Sequence, residues 1–566
     1  MKNRGLIQPN ILIRFNDFGF DSMPDIQNLI RRFDRLELVY LALEIIYDRK
    51  LSSGCREICS RLFPKDKGAT ILRLLDKELN TTYEDIATHH LVCMQTGLEL
   101  LKILLSNSEQ HTPWNFDTIP NGAEIKGTNL FTILLLVNER ITKDLNVGDN
   151  YANSDLDTAK DIIANGIATT LVENSDYTNF DILTTPLLYV YKSTLFLEFC
   201  ASHKELAPCL NKVLEKYGCT DIRTFITVIC GLFVESHNSK NNYCRFVFSE
   251  NDPAPTSLNE LSFSIDATIG EAENIDYTYF RGHPLIRVSE HEYILICVPF
   301  LFGKLYQGLI FDFSEALGNG YKVREIISTD FSEKLLLFPL LKQSISSENG
   351  ISLSGAECDE INKESAPDFY VRNQDSCFLF ELKDYSFRAK EKTSLSYDLI
   401  VNYLHTQFVE KSNGRPGAIK QLAKNIKALI DKNFIWDKLA QPDRIYPVLV
   451  LGNQNYLNYG MTFILNRFFS KELKARNITS QSVCDLVIID LDTLLLYSDF
   501  FSKNSFEKIV NEYFAKIGKH SESPHVLERL FGYMQPFPEY LKQTYPLSSS
   551  HLISKIKQQN TWKNYE

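Results

Sequence analysis

The chain lacks the sequence features that mark several large classes of protein. No apolar run is long enough to cross a membrane, and residues 225–234, among the most apolar, fall well short of the roughly 20 residues needed. The first residues lack the apolar core of a signal peptide. There is also no Gly-x4-Gly-Lys-Ser/Thr phosphate loop. These absences predict a cytoplasmic protein with no membrane partner that is not itself a P-loop ATPase.

Metal-ligand patterns of cysteine and histidine are also missing. The 12 cysteines and 11 histidines are scattered along the chain without a recurring interval. Cys55 and Cys59 are spaced so that they could share a helix face, but no second pair of ligands follows them. Structural zinc sites need such a second pair, so free buried thiols are expected here instead.

Positive charge is scarce overall but concentrated in one region. The net charge of −11 argues against a protein that coats nucleic acid through bulk electrostatics. Residues 383–444 reverse this balance, with 12 Lys and Arg against 7 Asp and Glu, a local net charge of +5. Such a chain fits a protein that a protein partner or activator brings to nucleic acid.

Two acids and a lysine on two short apolar runs carry the clearest chemistry. Asp368 opens the first run, and Glu381 and Lys383 end the second, which covers residues 376–383. Alternation places Glu381 and Lys383 on one face of the second strand and its phenylalanines on the other. If residues 374–375 form a two-residue hairpin turn, Asp368 lies directly across from Glu381. A slip of one residue would turn Asp368 to the wrong face.

Two carboxylates that face each other across a hairpin repel unless a cation lies between them. Directly opposed residues have Cβ atoms about 4.5–5.5 Å apart. Mg²⁺ or Mn²⁺ would resolve the conflict, because hard ions take carboxylate oxygens. We therefore predict Asp368 and Glu381 as metal ligands. Lys383 is predicted to deprotonate or orient the attacking water and to offset charge in the transition state.

These residues resemble the motif of the PD-(D/E)xK nuclease superfamily, the restriction-endonuclease-like fold of many restriction enzymes, junction resolvases and repair exonucleases. The resemblance covers about residues 326–500. It implies a helix, a three-stranded meander that carries the motif, a second helix and a further strand. Candidates are the helix 331–345, the strand 351–354, the helix 416–432, and the strand 446–451 with Pro447 tolerated at its start.

The resemblance also assigns a catalytic role to Glu333, which matches the acid that the family carries on its first helix. A second interpretation stays open, since the run from Asp330 to Glu333 is also typical of a capping box. In that case Glu333 would only accept a hydrogen bond from a backbone amide at the helix start. Pro339 inside the same helix complicates its geometry.

The second helix carries the residues predicted to contact nucleic acid. Gln421 matches a glutamine found there in several branches of the family, although Asn425 replaces the tyrosine that often follows. Lys420, Lys424 and Lys427 lie away from the apolar stripe of the helix. This face could bind phosphates or simply face water.

A second motif points to a different enzyme class. Residues 486–494 resemble the first motif of haloacid dehalogenase-like phosphatases, an apolar strand that ends in Asp490-Leu491-Asp492-Thr493. Only 73 residues follow Thr493, too few for the remaining strands of that fold. We favour a buried strand from residue 484 to 489, with Asp490 at the start of a loop.

The predicted fold class is α+β, with several domains. A helical domain for sensing or partner docking covers 1–240, a strand-rich connecting segment 241–325, a nuclease core 326–500, and a helical tail 501–566. The predicted function is a metal-dependent nuclease that acts on DNA in preference to RNA, in restriction or antiviral defence by fold analogy alone. The alternative is a nucleic-acid-binding or scaffold protein with an inactive nuclease fold.

Overall fold

A computed structural model gives the fold. It describes residues 11–18, 22–47, 59, 63, 68–73, 89–106, 111–142, 164, 166–168, 171–172, 175–178, 180–238, 243–249, 255–345, 350–361, 366–439, 441–520, 532–547 and 549–562. Within these ranges no helix is both long and apolar enough to span a membrane. Cys55 lies outside them, whereas Cys59 is a buried thiol.

Helices and strands are mixed in the chain, which forms two compact units interleaved along the sequence. The larger unit comprises Met1–Leu6, Asp144–Leu206 and Phe313–Glu566. The smaller unit comprises Ile7–Lys143 and Ala207–Asp312. These units differ from the four consecutive segments predicted above, because each unit is assembled from separate stretches of chain.

The smaller unit combines helices with short strands. β1 (Ile11–Leu12) pairs in parallel with β2 (His89–His90). β3 (Arg245–Val247), β4 (Ser262–Ser264), β5 (Leu285–Ser289) and β6 (Glu292–Leu295) form a sheet of order β3-β6-β5-β4. The described helices are Phe15–Phe18, Ile26–Ile30, Arg35–Tyr47, Met94–Ser106, Phe116–Thr118, Gly122–Thr142, Ala207–Lys216, Ile222–Asn238, Thr256–Glu260, Ile275–Tyr277, Thr278–Gly282, Val298–Gly303, Lys304–Gly308 and Leu309–Leu317, the last of which continues into the larger unit.

The larger unit is built on a five-stranded sheet of order β11-β10-β9-β8-β7. Its strands are β7 (Ile351–Ser354), β8 (Phe369–Asn373), β9 (Ser376–Lys383), β10 (Arg444–Leu451) and β11 (Val487–Asp490). β7, β8 and β9 form an antiparallel meander, and β10 and β11 join it in parallel. The predicted strand at 351–354 is confirmed at both ends.

Helices surround this sheet. Those described are Ser175–Thr178, Thr185–Ser202, Gly320–Ile326, Ile327–Leu337, Phe338–Ser344, Gly355–Ile361, Ala389–Lys392, Tyr397–Phe408, Ala418–Ile430, Gln454–Tyr456, Met461–Ala475, Leu491–Phe501, Phe506–His520, Gly532–Met534, Phe537–Thr544, Ser549–Gln558 and Asn560–Trp562. The helix predicted at 416–432 is thus confirmed as Ala418–Ile430, and is called the lysine helix below.

Both faces of the sheet are buried under helices. On one face Leu379 packs in a core with Ile419 and Ile426 of the lysine helix. On the other face Phe380 packs in a core that includes Phe506 of the C-terminal helices. The alternation predicted for β9 is therefore confirmed. Burial on both sides also explains why β9 and β10 are nearly continuous apolar runs.

A long helix precedes the meander and is called the Glu333 helix below. It is α-helical over Gly320–Ile326, π-helical over Ile327–Leu337 and α-helical again over Phe338–Ser344. The predicted start at residue 331 is wrong, because Asn319 caps the helix at its N-terminus by accepting a hydrogen bond from the Lys322 backbone N at 3.1 Å.

Glu333 therefore lies inside the helix, and the capping-box interpretation is wrong as well. Pro339 falls in the second position of the final α-helical segment. Proline inside a helix removes one backbone hydrogen bond and crowds the preceding turn. The wider π segment ends two residues before it, so the irregular turns precede the proline directly.

Pro447 does not lie at the start of its strand as predicted. It is the fourth residue of β10, which lies between β9 and β11. The pairing with the β11 side shifts by one residue around it, from Ile445 with Val483 to Val448 with Val487. Here the Leu486 N–H donates to the Asn466 side chain at 2.9 Å, and the Leu486 carbonyl accepts from the same amide at 3.1 Å. Pro447 has no N–H to donate to the neighbouring strand. The Asn466 side chain supplies hydrogen bonds to Leu486 at this point of the sheet instead.

We had expected the chain to enter a loop at Asp490, but it does not. Asp490 ends β11 and caps the helix Leu491–Phe501, and its carboxylate accepts from the Thr493 N–H at 2.8 Å and from the Thr493 hydroxyl at 2.6 Å. Asp492 pairs with the buried Lys192 at 2.6 Å. Both acids of the phosphatase-like motif therefore have structural partners.

Candidate active site

The β8–β9 hairpin brings the two acids and the lysine to one end of the sheet. Phe369 pairs with Phe380, and the pairing continues to the two-residue turn at 374–375, so the predicted register is confirmed. The first turn residue has a φ of 49°, the left-handed conformation that two-residue hairpin turns use at this position. When this register is continued by one residue beyond the pair of Phe369 and Phe380, Asp368 lies opposite Glu381.

Asp368 lies in a bend directly before β8, and its carboxylate reaches across to β9. Its Oδ2 atom accepts a hydrogen bond from the Leu382 backbone N at 2.6 Å and lies 3.8 Å from Lys383 Nζ. Its backbone carbonyl accepts from the Gly355 N–H at 2.7 Å. The side chain is 24% exposed, so a fixed carboxylate remains accessible to solvent.

Glu381 is the most deeply buried member of the group, at 1% exposure. Its Oε2 atom accepts from Lys383 Nζ at 3.2 Å, whereas Oε1 has no hydrogen-bond partner among the described residues. Burial raises the pKa of Glu381 well above its usual value, and the negative charge of Asp368 raises it further. Without a cation, this carboxyl group is therefore protonated at a pH where exposed glutamates are ionised.

Lys383 lies between the two acids. Burial by itself would lower its pKa, but the charge of Asp368 and the hydrogen bond to Glu381 outweigh burial and raise the pKa above its usual value. The ammonium group therefore stays charged at neutral pH. It can donate hydrogen bonds to negatively charged groups, and it cannot act as a base there.

Glu333 joins this group from the Glu333 helix. Burial and the charge of Asp368 raise the pKa of Glu333 to about 7, while Lys383 opposes the shift. Glu333 therefore lies within electrostatic reach of both residues. It stands in the π-helical segment, a backbone form that is frequent at functional sites.

The turn before Glu333 is fixed to the end of β9. Ser332, which is fully buried, donates from its hydroxyl to Asp384 Oδ2 at 2.5 Å. Asp384 in turn packs against the chain after β10, where a Cβ on Gly452 would lie only 1.9 Å from Asp384 Oδ1. Sequence reasoning missed Ser332, Asp384 and Gly452, because only the folded chain brings them together.

A hard divalent cation fits these residues. The unpartnered Glu381 Oε1 and the accessible Asp368 carboxylate are oxygen ligands of the kind that Mg²⁺ and Mn²⁺ take. Among the described residues, no group of three or more His, Cys, Asp or Glu is placed to hold a metal. Magnesium sites commonly use one or two carboxylates, with water and substrate phosphate as the other ligands.

The lysine helix packs on the sheet face that carries Glu381 and Lys383. Gln421 is half-buried on it. Lys420 is ion-paired with Glu410, and Lys427 is paired with Asp431 at 2.7 Å, whereas Lys424 is exposed. No described contact joins Gln421 or the three lysines to Asp368, Glu381 or Lys383.

Comparison with known protein families, with curated proteins and with solved structures finds no match to the chain.

Proposed function

We propose that the chain is a metal-dependent nuclease that hydrolyses phosphodiester bonds, with DNA as the preferred substrate. The observation that carries this proposal is the meeting of Asp368, Glu381 and Lys383 at one end of the β8–β9 hairpin, with Glu333 beside them. These residues come from the Glu333 helix, the bend before β8 and strand β9, and they combine carboxylate oxygens with a positive charge.

The order of elements supports the same proposal. The Glu333 helix is followed by the antiparallel meander β7-β8-β9, the lysine helix, and β10 parallel to β9. This is the succession that the resemblance to the PD-(D/E)xK superfamily implies. The match is one of topology and motif position, and restriction or antiviral defence stays a prediction from fold analogy.

Asp368 and Glu381 would hold the cation. When bound, Mg²⁺ or Mn²⁺ supplies a polarised phosphoryl oxygen and a water of lowered pKa. Asp368 is fixed for this role by its bond to the Leu382 backbone. Glu381 must first release the proton that its buried setting favours, so cation binding is coupled to proton release.

Lys383 and Glu333 would have two different roles in the reaction, charge stabilisation and proton acceptance. The charged ammonium of Lys383 can donate to a phosphate oxygen and offset the negative charge that grows in the transition state. Glu333, with a pKa of about 7, can accept the proton of the attacking water near neutral pH. Of the two roles predicted for Lys383, the structure favours the electrostatic one, because its pKa is raised.

A cleavage assay on the whole chain tests the proposal. Plasmid DNA, single-stranded DNA and RNA are incubated with Mg²⁺, Mn²⁺ or EDTA, beside Asp368→Ala and Lys383→Ala. Matched controls are Asp375→Ala, at the exposed opposite end of the same hairpin, and Lys503→Ala, an exposed lysine between helices.

The proposal predicts cleavage that EDTA and both site substitutions abolish and that both controls retain. Cleavage that persists in Asp368→Ala and Lys383→Ala would overturn the site. Binding of nucleic acid without cleavage in any metal would favour the alternative, a binding or scaffold protein with an inactive nuclease fold.

A further inference from the structure

The chain directly after Lys383 forms a rigidly held loop, residues 384–388, called the post-lysine loop below. Its first residue accepts the hydroxyl hydrogen bond of Ser332, as described above. The Ser386 carbonyl accepts from the Tyr403 hydroxyl at 3.0 Å. Phe387 is buried, with its ring centroid 4.8 Å from that of Tyr403 and 4.9 Å from that of Tyr456. The loop is therefore fixed at three of its five residues.

Three basic side chains lie on or beside this loop, and they are called the basic rim below: Arg324, Arg388 and Lys411. Arg324 donates from Nη1 to the Ser386 hydroxyl at 3.1 Å. Arg388 is 68% exposed, with its guanidinium 5.6 Å from the Tyr403 ring centroid.

Lys411 completes the basic rim, with Nζ 5.8 Å from the Tyr385 ring centroid. The rim borders the candidate active site, because the post-lysine loop begins at the residue that follows Lys383 on β9. The exposed Arg388 lies 3.8 Å from the carboxylate of Glu391. An exposed ion pair at this distance is weak and exchanges readily for another anion.

We propose that the basic rim binds the phosphodiester backbone of the nucleic acid substrate beside the scissile phosphate. The inference rests on the proposed function for the position of the scissile phosphate at Lys383. A nucleic acid strand carries about one negative charge per 3.4 Å of helix axis, so a strand held at Lys383 presents further phosphates to the adjoining surface. Arginine suits this role, because its planar fork binds phosphate through two donors.

The rim differs from the surface predicted from the sequence. On the lysine helix, Lys420 and Lys427 each pair with an acid of their own chain. Arg324 lies on the Glu333 helix and Arg388 ends the post-lysine loop, and the hydrogen bond from Arg324 to Ser386 joins the two elements. The sequence held one signal for this surface, the local net charge of +5 over residues 383–444, but it could not place Arg324 there.

Binding is measured by fluorescence anisotropy of labelled single-stranded and duplex DNA and RNA oligonucleotides, in EDTA so that no cleavage occurs. The variants are Arg324→Ala, Arg388→Ala, Lys411→Ala and the triple substitution. Arg444→Ala is the matched control, since Arg444 is exposed at the far end of β10, where the sheet pairs it with Ser376. Lys424→Ala with Lys427→Ala tests the lysine helix as the rival surface.

Each phosphate contact contributes about 0.7 to 0.9 to the slope of log affinity against log salt. Loss of one rim cation should lower that slope by this amount and weaken binding about five- to eightfold at about 0.1 M salt. The cleavage KM should rise with kcat retained, because the rim binds substrate and transition state equally. Circular dichroism of each variant checks that the fold is kept.

The outcomes separate this inference from the proposed function. Unchanged affinity and salt slope in the triple variant would overturn the basic rim, even if Asp368→Ala abolishes cleavage. If the triple variant loses binding while the unmodified chain cleaves no substrate, the binding role of the basic rim is supported and the proposed nuclease function is overturned. Weaker binding only in the lysine-helix variant, or no binding by the unmodified chain, would also overturn the rim.

Discussion

Replacing Glu381 with glutamine tests whether the buried carboxyl group is protonated in the metal-free chain. In the folded state, burial and the charge of Asp368 raise its pKa. In the unfolded state it returns to an ordinary pKa of about 4.3. Between these two values the folded chain binds one more proton than the unfolded chain. The contribution of Glu381 to the free energy of unfolding therefore falls by about 1.4 kcal/mol for each unit of rising pH.

The sign follows from the direction of the shift. A carboxyl group with a raised pKa gives its full stability below the unfolded pKa and loses it as pH rises towards the folded pKa. As pH rises above the unfolded-state pKa of about 4.3, the unmodified chain should lose stability that Glu381→Gln does not lose. Glutamine also places an amide where Oε1 has no partner, but that cost is independent of pH.

The assay is urea unfolding in EDTA at several pH values, with Glu360→Gln as a control at an exposed glutamate of the larger unit. The control should keep the slope of the unmodified chain. Saturating Mn²⁺ should flatten the slope of the unmodified chain, because the cation displaces the proton and stabilises the fold more at higher pH. Equal pH slopes for Glu381→Gln and the unmodified chain in EDTA would refute the reasoning.

Three further predictions concern the neighbours of Glu381. Glu333→Gln should remove the rise of kcat with pH below its pKa of about 7, and a pH–rate profile that keeps this limb would contradict its role as proton acceptor. Lys383→Met should lower kcat by about 10²- to 10³-fold, as loss of one transition-state donor does, and a change confined to KM would contradict this. Gly452→Ala should cost about 1–3 kcal/mol in urea unfolding, because its Cβ must displace Asp384 from Ser332; unchanged stability would show that Asp384 moves freely.

Local patterns were enough to predict the hairpin and its register. Alternation along residues 376–383 fixed which side chains share a face, and the turn length fixed the opposition of Asp368 and Glu381. The lysine helix followed from periodicity in the same way, whereas the strand at 351–354 was a candidate that the resemblance implied. These features depend on neighbours within a few residues, which is where sequence patterns carry most information.

Other features depend on distant parts of the chain. The start of the Glu333 helix was missed, because its π-helical turns depart from the 3.6-residue period. The central position of Pro447 depends on Asn466, which supplies bonds to Leu486 from another helix. The hydrogen bond between Ser332 and Asp384 joins residues 52 positions apart in the sequence, so no local pattern predicts it.

The interleaved order of the two units has a consequence for synthesis on the ribosome. Lys192 pairs with Asp492, which follows it by 300 residues in the sequence. Glu198 accepts a hydrogen bond from the hydroxyl of Thr561, which follows it by 363 residues. The helix Thr185–Ser202 therefore cannot complete its packing until Asp492 and Thr561 have been synthesised. The nascent chain carries Asp368, Glu381 and Lys383 out of the exit tunnel well before the supporting helices exist. We expect the packed larger unit, and any hydrolytic activity with it, to form only after Thr561 has been synthesised.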